Sequence, residues 1–181
     1  LYQAPEMLDD VLTVWTPAAY YVVAMSFGYF IWDSVTTYLT GDMGMFFWCV
    51  YHHAAVVAPV LCVLMKTKYV AIALVLQLME IHSIFLLIRR LLQLFDFDET
   101  SLIFRINNIC SLISCGIFRV LLSFWFVSYL VTNRKRGPTI DFLLSFFGSL
   151  FFLHQNLKMF GKIWKTTMSQ WQLRKLLLYV E

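Results

Sequence analysis

The sequence predicts an all-α, polytopic transmembrane helical bundle with about five spans, and three observations predict it. Only 14% of the 181 residues are charged, where a soluble domain carries about 25%. Hydrophobic residues make up 60% of the chain and mean hydropathy is +0.71, more apolar surface than a water-soluble fold can hide. The apolar residues also come in long runs rather than alternating. Runs favour helices, which satisfy every backbone hydrogen bond within the segment, over a β-barrel.

The spans are read in order, each near the roughly 20 residues that cross a hydrocarbon core. The first covers about Pro17–Leu39, the second Met45–Met65 and the third Tyr69–Leu92. The fourth covers about Ile103–Val131 and the fifth Thr139–Phe160. Turn chemistry or charge separates them: Thr40-Gly41-Asp42, Lys66-Thr67-Lys68, Asp96-Phe97-Asp98-Glu99, and Asn133 through Pro138. Thr100 or Ser101 is placed to cap the start of the fourth helix. Residues 1–163 are therefore read as one membrane bundle, and residues 164–181 as a basic, interfacial C-terminal tail carrying Trp164, Trp171, Arg174 and Lys175. A chain that opens at Leu1 rather than methionine is read as part of a longer protein.

Composition also excludes several classes. The net charge of +3 comes with no basic stripe, so nucleic acid is not an expected partner. Cys49, Cys62, Cys110 and Cys115 all fall within apolar runs, away from CxxC spacing, and read as small packing residues. No P-loop, GxGxxG or GxSxG motif is present. No metal site is expected, because the carboxylates and histidines are not at i, i+4 spacing on one helix.

Basic residues in the loops set orientation. The side holding Leu1 also receives Lys66, Lys68, Arg134, Lys135 and Arg136. The opposite side receives Arg90, Arg105, Lys162, Lys165, Arg174 and Lys175, with Arg89 and Lys158 deeper, and so leans cytoplasmic together with the C-terminus. Alternating the helix direction assigns depths to the polar residues inside spans. Asp33, His52, His53, Arg89, Asn107, His154, Asn156 and Lys158 fall in the half nearer the C-terminal side. Glu80 and Arg119 fall near the middle, with His82 slightly closer to that side. Ionisable groups at such depths cost about 2.5–3.5 kcal/mol each on insertion scales, so each needs a partner, water or a function. Two readings follow. The residues line a cavity that takes a ligand, or they tie the bundle together, with Glu80 neutralising Arg119, Asp33 bridging Arg89, and Asn107 and Asn156 acting as interhelical glue. His52 and His53 are the sharpest element. Neighbours on a helix point about 100° apart, so one faces such a site and serves as its general base.

These residues resemble the TLC-domain proteins, a family that includes the ceramide synthases. The resemblance rests on Gly28-Tyr29-Phe30-Ile31-Trp32-Asp33 followed by His52-His53, on Glu80, Ser83 and Arg89 in one helix, on Asn107 with Arg119, and on Asn156 with Lys162-Ile163. The pattern is nearer to the TLC-domain proteins outside the synthases, because the synthases' paired-aspartate motif has no counterpart between Glu80 and Phe95. Ile84 also stands where relatives often carry proline, which implies a less kinked third helix. The resemblance implies a helical bundle around a lipid-sized cavity, here without the family's N-terminal helices. His52 and His53 become the catalytic candidates, and Asp33, Glu80, Arg89, Asn107, Arg119 and Asn156 the substrate-binding ones.

The implied function is lipid handling in a cavity open to the C-terminal face, by acyl transfer or in membrane lipid homeostasis. No cofactor is expected, with acyl-CoA as the possible substrate. The other reading is a non-enzymatic accessory subunit of a larger membrane complex. Expected partners are membrane lipids and other membrane proteins. The expected location is the endoplasmic reticulum, with the mitochondrial inner membrane as the other candidate.

Overall fold

The computed structural model describes the backbone of residues 7, 10–39 and 43–178, and the side chains of residues 7, 10–39, 53 and 56–169. Its helices are α1 (Pro17–Leu39), α2 (Met43–Lys66), α3 (Val70–Leu76), α4 (Ile81–Leu94), α5 (Leu102–Ser114), α6 (Leu122–Thr132) and α7 (Thr139–Leu178). A 3-10 turn over Gln77–Glu80 joins α3 to α4, and a π-helical segment over Cys115–Leu121 joins α5 to α6. No strand occurs among the described residues. The chain divides into two compact units, Leu1–Gln77 and Leu78–Glu181.

In the first unit, α1 starts where Thr16 Oγ1 accepts from the Ala19 amide at 3.2 Å. Pro17 follows at the first helical position, where its missing N–H has no intrahelical partner to lose. Tyr20 ties α1 to α2 by donating to the Leu64 carbonyl at 3.4 Å. The Tyr69 amide donates to the Leu12 carbonyl at 2.9 Å, anchoring the segment before α1 at the start of α3. Four consecutive residues of α3, Val70 to Ala73, are buried, as expected of a helix apolar on every face.

The second unit has an unusual interior. Beside Leu92, Phe104, Cys115 and Ile163 it buries His82, Asn107, Asn108, Ser111, Ser114, Arg119, Ser123, Ser149, Asn156 and Thr167, while Leu, Ile and Phe side chains crowd the outside. In water such a distribution would be costly. In a bilayer the tails are as apolar as leucine, so helices associate through small residues and hydrogen bonds. Three helical stretches are long and apolar enough to cross a membrane: Val70–Leu94, Leu102–Thr132 and Thr139–Ser169. They match the third, fourth and fifth expected spans. The first two expected spans correspond to α1 and α2, of 23 and 24 residues. Val56–Lys66 is the apolar part of α2 within the described residues.

Two local expectations change. The third span lacks a proline yet is not regular, because the 3-10 turn at Gln77–Glu80 interrupts it just before the polar residues of α4. The fifth helix does not stop near Phe160. It continues unbroken to Leu178, 40 residues or about 60 Å, roughly twice the hydrocarbon thickness. The change near residue 163 is therefore one of composition and not of backbone.

The turn between α4 and α5 is capped at both ends. Asp96 takes φ 52°, with the Phe97 amide donating to Leu92 O at 3.0 Å and the Asp96 amide to Gln93 O at 3.2 Å, a Schellman closure. Ser101 Oγ accepts from the Phe104 amide at 3.4 Å, the cap expected for the fourth span. Asp98 accepts from the Thr100 amide at 2.8 Å and the Thr100 hydroxyl at 2.7 Å. These bonds hold its carboxyl below the usual carboxylate range. Their contribution is full above the ordinary aspartate pKa and is lost as pH falls through the lowered folded value. The Asp98 carboxyl carbon should therefore titrate below an unstructured peptide's aspartate, and a midpoint at the peptide value would contradict the turn.

Three of the expected spans separate Gly41 from Arg134. Single cysteines at these positions should be labelled from opposite faces of the membrane by an impermeant thiol reagent. Labelling from one face would overturn the span assignment.

Candidate functional site

Asp33 and Ser34 sit two turns from the end of α1, and His53 lies on α2. His53 Nδ1 is 2.9 Å from Ser34 Oγ, and His53 Nε2 is 3.7 Å from Asp33 Oδ2. The second distance is an ion-pair contact, too long for a hydrogen bond. A hydroxyl has one proton, and Ser34 donates its own to the Phe30 carbonyl at 2.8 Å. Ser34 Oγ thus lies within hydrogen-bond reach of both the Phe30 carbonyl and His53 Nδ1, and Nε2 is the ring nitrogen that faces Asp33. The Phe30 ring packs on the imidazole with centroids 5.3 Å apart. The His53 side chain is 12% exposed and that of Asp33 40%. An imidazole held between a hydroxyl and a carboxylate is an arrangement suited to general acid–base work. His52 is on α2, but its side chain lies outside the described residues.

The second unit brings Glu80, Ser83 and Arg119 together. Arg119 Nη2 donates to Ser83 Oγ at 2.9 Å and lies 3.8 Å from Glu80 Oε1, while Ser83 Oγ donates to Glu80 Oε2 at 2.8 Å. Glu80 thus neutralises Arg119, as anticipated from their similar depth. His82, adjacent to Ser83, is fully buried with Nδ1 3.1 Å from Ser114 Oγ. Arg119 belongs to the π-helical segment, a local widening that recurs at functional sites. Its carbonyl accepts from Ser123 Oγ at 2.6 Å and from Asn156 Nδ2 at 3.4 Å.

The two asparagines of the expected site bridge helices. Asn107 donates from α5 to the Phe85 carbonyl of α4 at 3.1 Å. Asn156 donates from α7 to Ser123 Oγ at 2.8 Å. Arg89 donates to Asn108 Oδ1 at 3.3 Å and its guanidinium lies 5.4 Å over the Phe104 ring, a cation–π contact. Asp33 pairs with His53 within its own unit. His154 and Lys158 are exposed.

Sequence reasoning missed Ser34, Asn108, Ser114 and Ser123. Ser34 had a signal, since it directly follows the one acidic residue of the first span. Ser123 had another, one turn after Arg119, where a hydroxyl reaches the i−4 carbonyl. Asn108 and Ser114 carry no signal that separates them from ordinary span residues.

The TLC domain family model matches residues 2–165, nearly the whole chain. The chain belongs to the TLC-domain family of integral membrane proteins. It is similar to TLC domain-containing protein 2 of Danio rerio, 25% identical over 162 residues, covering 90% of this chain and 65% of that protein. TLC domain-containing protein 1 of Gallus gallus is 29% identical over 133 residues, 71% of this chain and 52% of that protein. TLC domain-containing protein 2 of Mus musculus is 34% identical over 125 residues, 69% of this chain and 40% of that protein. The chain therefore spans between two fifths and two thirds of these relatives' lengths. No solved structure matches it. The relatives are non-synthase members, as the missing paired-aspartate motif implied.

Proposed function

We propose that this chain handles membrane lipid and that His53 and Asp33 are its proton-transfer pair, acting on lipid drawn from the bilayer half that holds the C-terminus. The observation that carries the reading is the Asp33–His53–Ser34 arrangement. An ionisable pair inside apolar helices is costly unless it does work or is neutralised. The contact of Nδ1 with Ser34 and of Nε2 with Asp33 supports Nε2 as the reactive nitrogen. In an acyl transfer from acyl-CoA, Nε2 would take the proton of an attacking amine or hydroxyl as the new C–N or C–O bond forms. The thioester C–S bond breaks and the thiolate receives that proton. Membrane lipid homeostasis is the broader role this chemistry would serve, with the endoplasmic reticulum as the proposed location.

A second reading is favoured by a different observation. In the second unit the polar residues expected to bind substrate are engaged with neighbouring helices: Asn107 with Phe85, Asn156 with Ser123, and Arg119 with Ser83 and Glu80. Such a scaffold is what an accessory subunit of a larger assembly needs. Purification in mild detergent separates the two readings. Lipid handling predicts a small particle that carries a defined lipid class, lost in His53→Ala. A large stoichiometric complex with no enriched lipid would support the accessory role instead.

A further inference from the structure

Helix α7 carries a row of basic residues on the face turned away from the rest of the second unit. The helix packs on α5, the π-helical segment and α6, and of its described residues Ser149, Asn156, Ile163 and Thr167 are buried. His154, Lys158, Lys162, Lys165 and Ser169 are all exposed. At about 100° per residue these five share an arc of about 80°, centred opposite the buried set.

Depth makes the arrangement unusual. Asn156 donates to the Arg119 carbonyl and to Ser123 Oγ, which sets it near the middle of the Leu102–Thr132 span. From that level Lys158, Lys162 and Lys165 stand about 3, 9 and 14 Å toward the C-terminal side. Half a hydrocarbon core is about 15 Å thick. Lys165 is therefore within snorkelling reach of the headgroups, whereas Lys158 lies two turns deeper, farther than a lysine arm extends. No anion of the helix answers these charges. Asp141 is the only acidic residue of α7, about 25 Å along the axis from Lys158. Among the described residues no carboxylate pairs with the three lysines. Lys158 and Lys162 are at i, i+4 and Lys162 and Lys165 at i, i+3, spacings at which like charges repel. Gly161 lies on the same face, and a β-carbon there would meet nothing within 4 Å, so there is room beside the lysines.

An uncompensated lysine at this depth is costly. We propose that this face of α7 seats an anionic phospholipid, whose phosphate sinks below the neighbouring headgroups to lie between Lys158 and Lys162. His154 offers an N–H from beneath, and the exposed Leu143, Phe147 and Leu150 continue the face for acyl chains. The lysines grade inward from the membrane surface, as a headgroup entering from that leaflet requires. An acidic partner helix, paired at one depth, needs no such gradient. A zwitterionic lipid fits less well, because its own ammonium already balances the phosphate. The inference rests on the second unit alone and stands whether or not His53 acts on lipid.

Native mass spectrometry of the full chain tests it, after release into mild detergent from liposomes of phosphatidylcholine and phosphatidylglycerol. The wild type should retain phosphatidylglycerol in preference to phosphatidylcholine. Lys158→Gln should lower that retention about fivefold and Lys158→Gln with Lys162→Gln about 25-fold, while Lys158→Arg preserves it. These substitutions leave the packed side of α7 untouched. His53→Ala should retain as much as wild type, which separates this seat from the proton-transfer pair. In an otherwise unchanged chain, a photoreactive residue in place of Leu157, exposed beside Lys158, should capture phosphatidylglycerol. Equal retention of the two lipids, a preference that survives the double variant or is lost in His53→Ala, or a protein captured at position 157 overturns the proposal.

Discussion

Glu80→Gln should be the most destabilising single change in the polar cluster of the second unit. It removes the anion 3.8 Å from Arg119 and leaves a guanidinium whose side chain is only 9% exposed. Breaking one side of a buried pair costs about 3–5 kcal/mol, and the loose contact places this one at about 3 kcal/mol. Arg119→Leu takes away the buried charge itself. Glu80 is 38% exposed and still receives Ser83, so this loss should be smaller, about 1–2 kcal/mol for the orphaned partners. The double variant should therefore be more stable than Glu80→Gln alone. Unfolding in mild detergent, followed by helix content, measures all three proteins. A double variant no better than Glu80→Gln would mean that Glu80 is not what neutralises Arg119.

The second large effect falls on His53. If Nε2 is the general base, His53→Ala should lower a lipid-modifying activity by about 10²–10⁴-fold. Asp33→Asn should lower it less, because the ring keeps its Ser34 contact. Ser34→Ala should act through position alone: the imidazole loses its hydroxyl contact at Nδ1, and the pH profile should move while the protein stays folded. His52→Ala serves as the neighbouring control, since successive positions of a helix project about 100° apart.

The helical membrane bundle and the family were legible because both rest on long patterns. Apolar runs of about 20 residues define the spans, and the order Asp33, His52-His53, Glu80, Arg89, Asn107, Arg119, Asn156 threads them. The Glu80–Arg119 pairing was legible from depth alone, as two opposite charges at one level in a bilayer have strong reason to meet. The backbone departures were not. A π-helical segment leaves no mark on hydropathy, and nothing in Cys115-Gly116-Ile117-Phe118 announces one. Helix α7 runs on past the fifth expected span because Lys and Arg are good helix formers that continue it into a polar region. Ser34 was also passed over. A serine beside an aspartate reads as a solvated neighbour until the helix opposite brings a histidine to its hydroxyl.

The central claim is that His53 acts on lipid and does not merely hold α1 to α2. The most direct measurement is membrane lipid composition in cells expressing wild type, His52→Ala or His53→Ala, each normalised to its folded amount. Lipid handling at His53 predicts an altered profile per folded molecule in His53→Ala, over and above any fall in folded amount from its lost Ser34 and Phe30 contacts. A well-folded His53→Ala protein whose lipids match wild type would contradict the account and leave an assembly role.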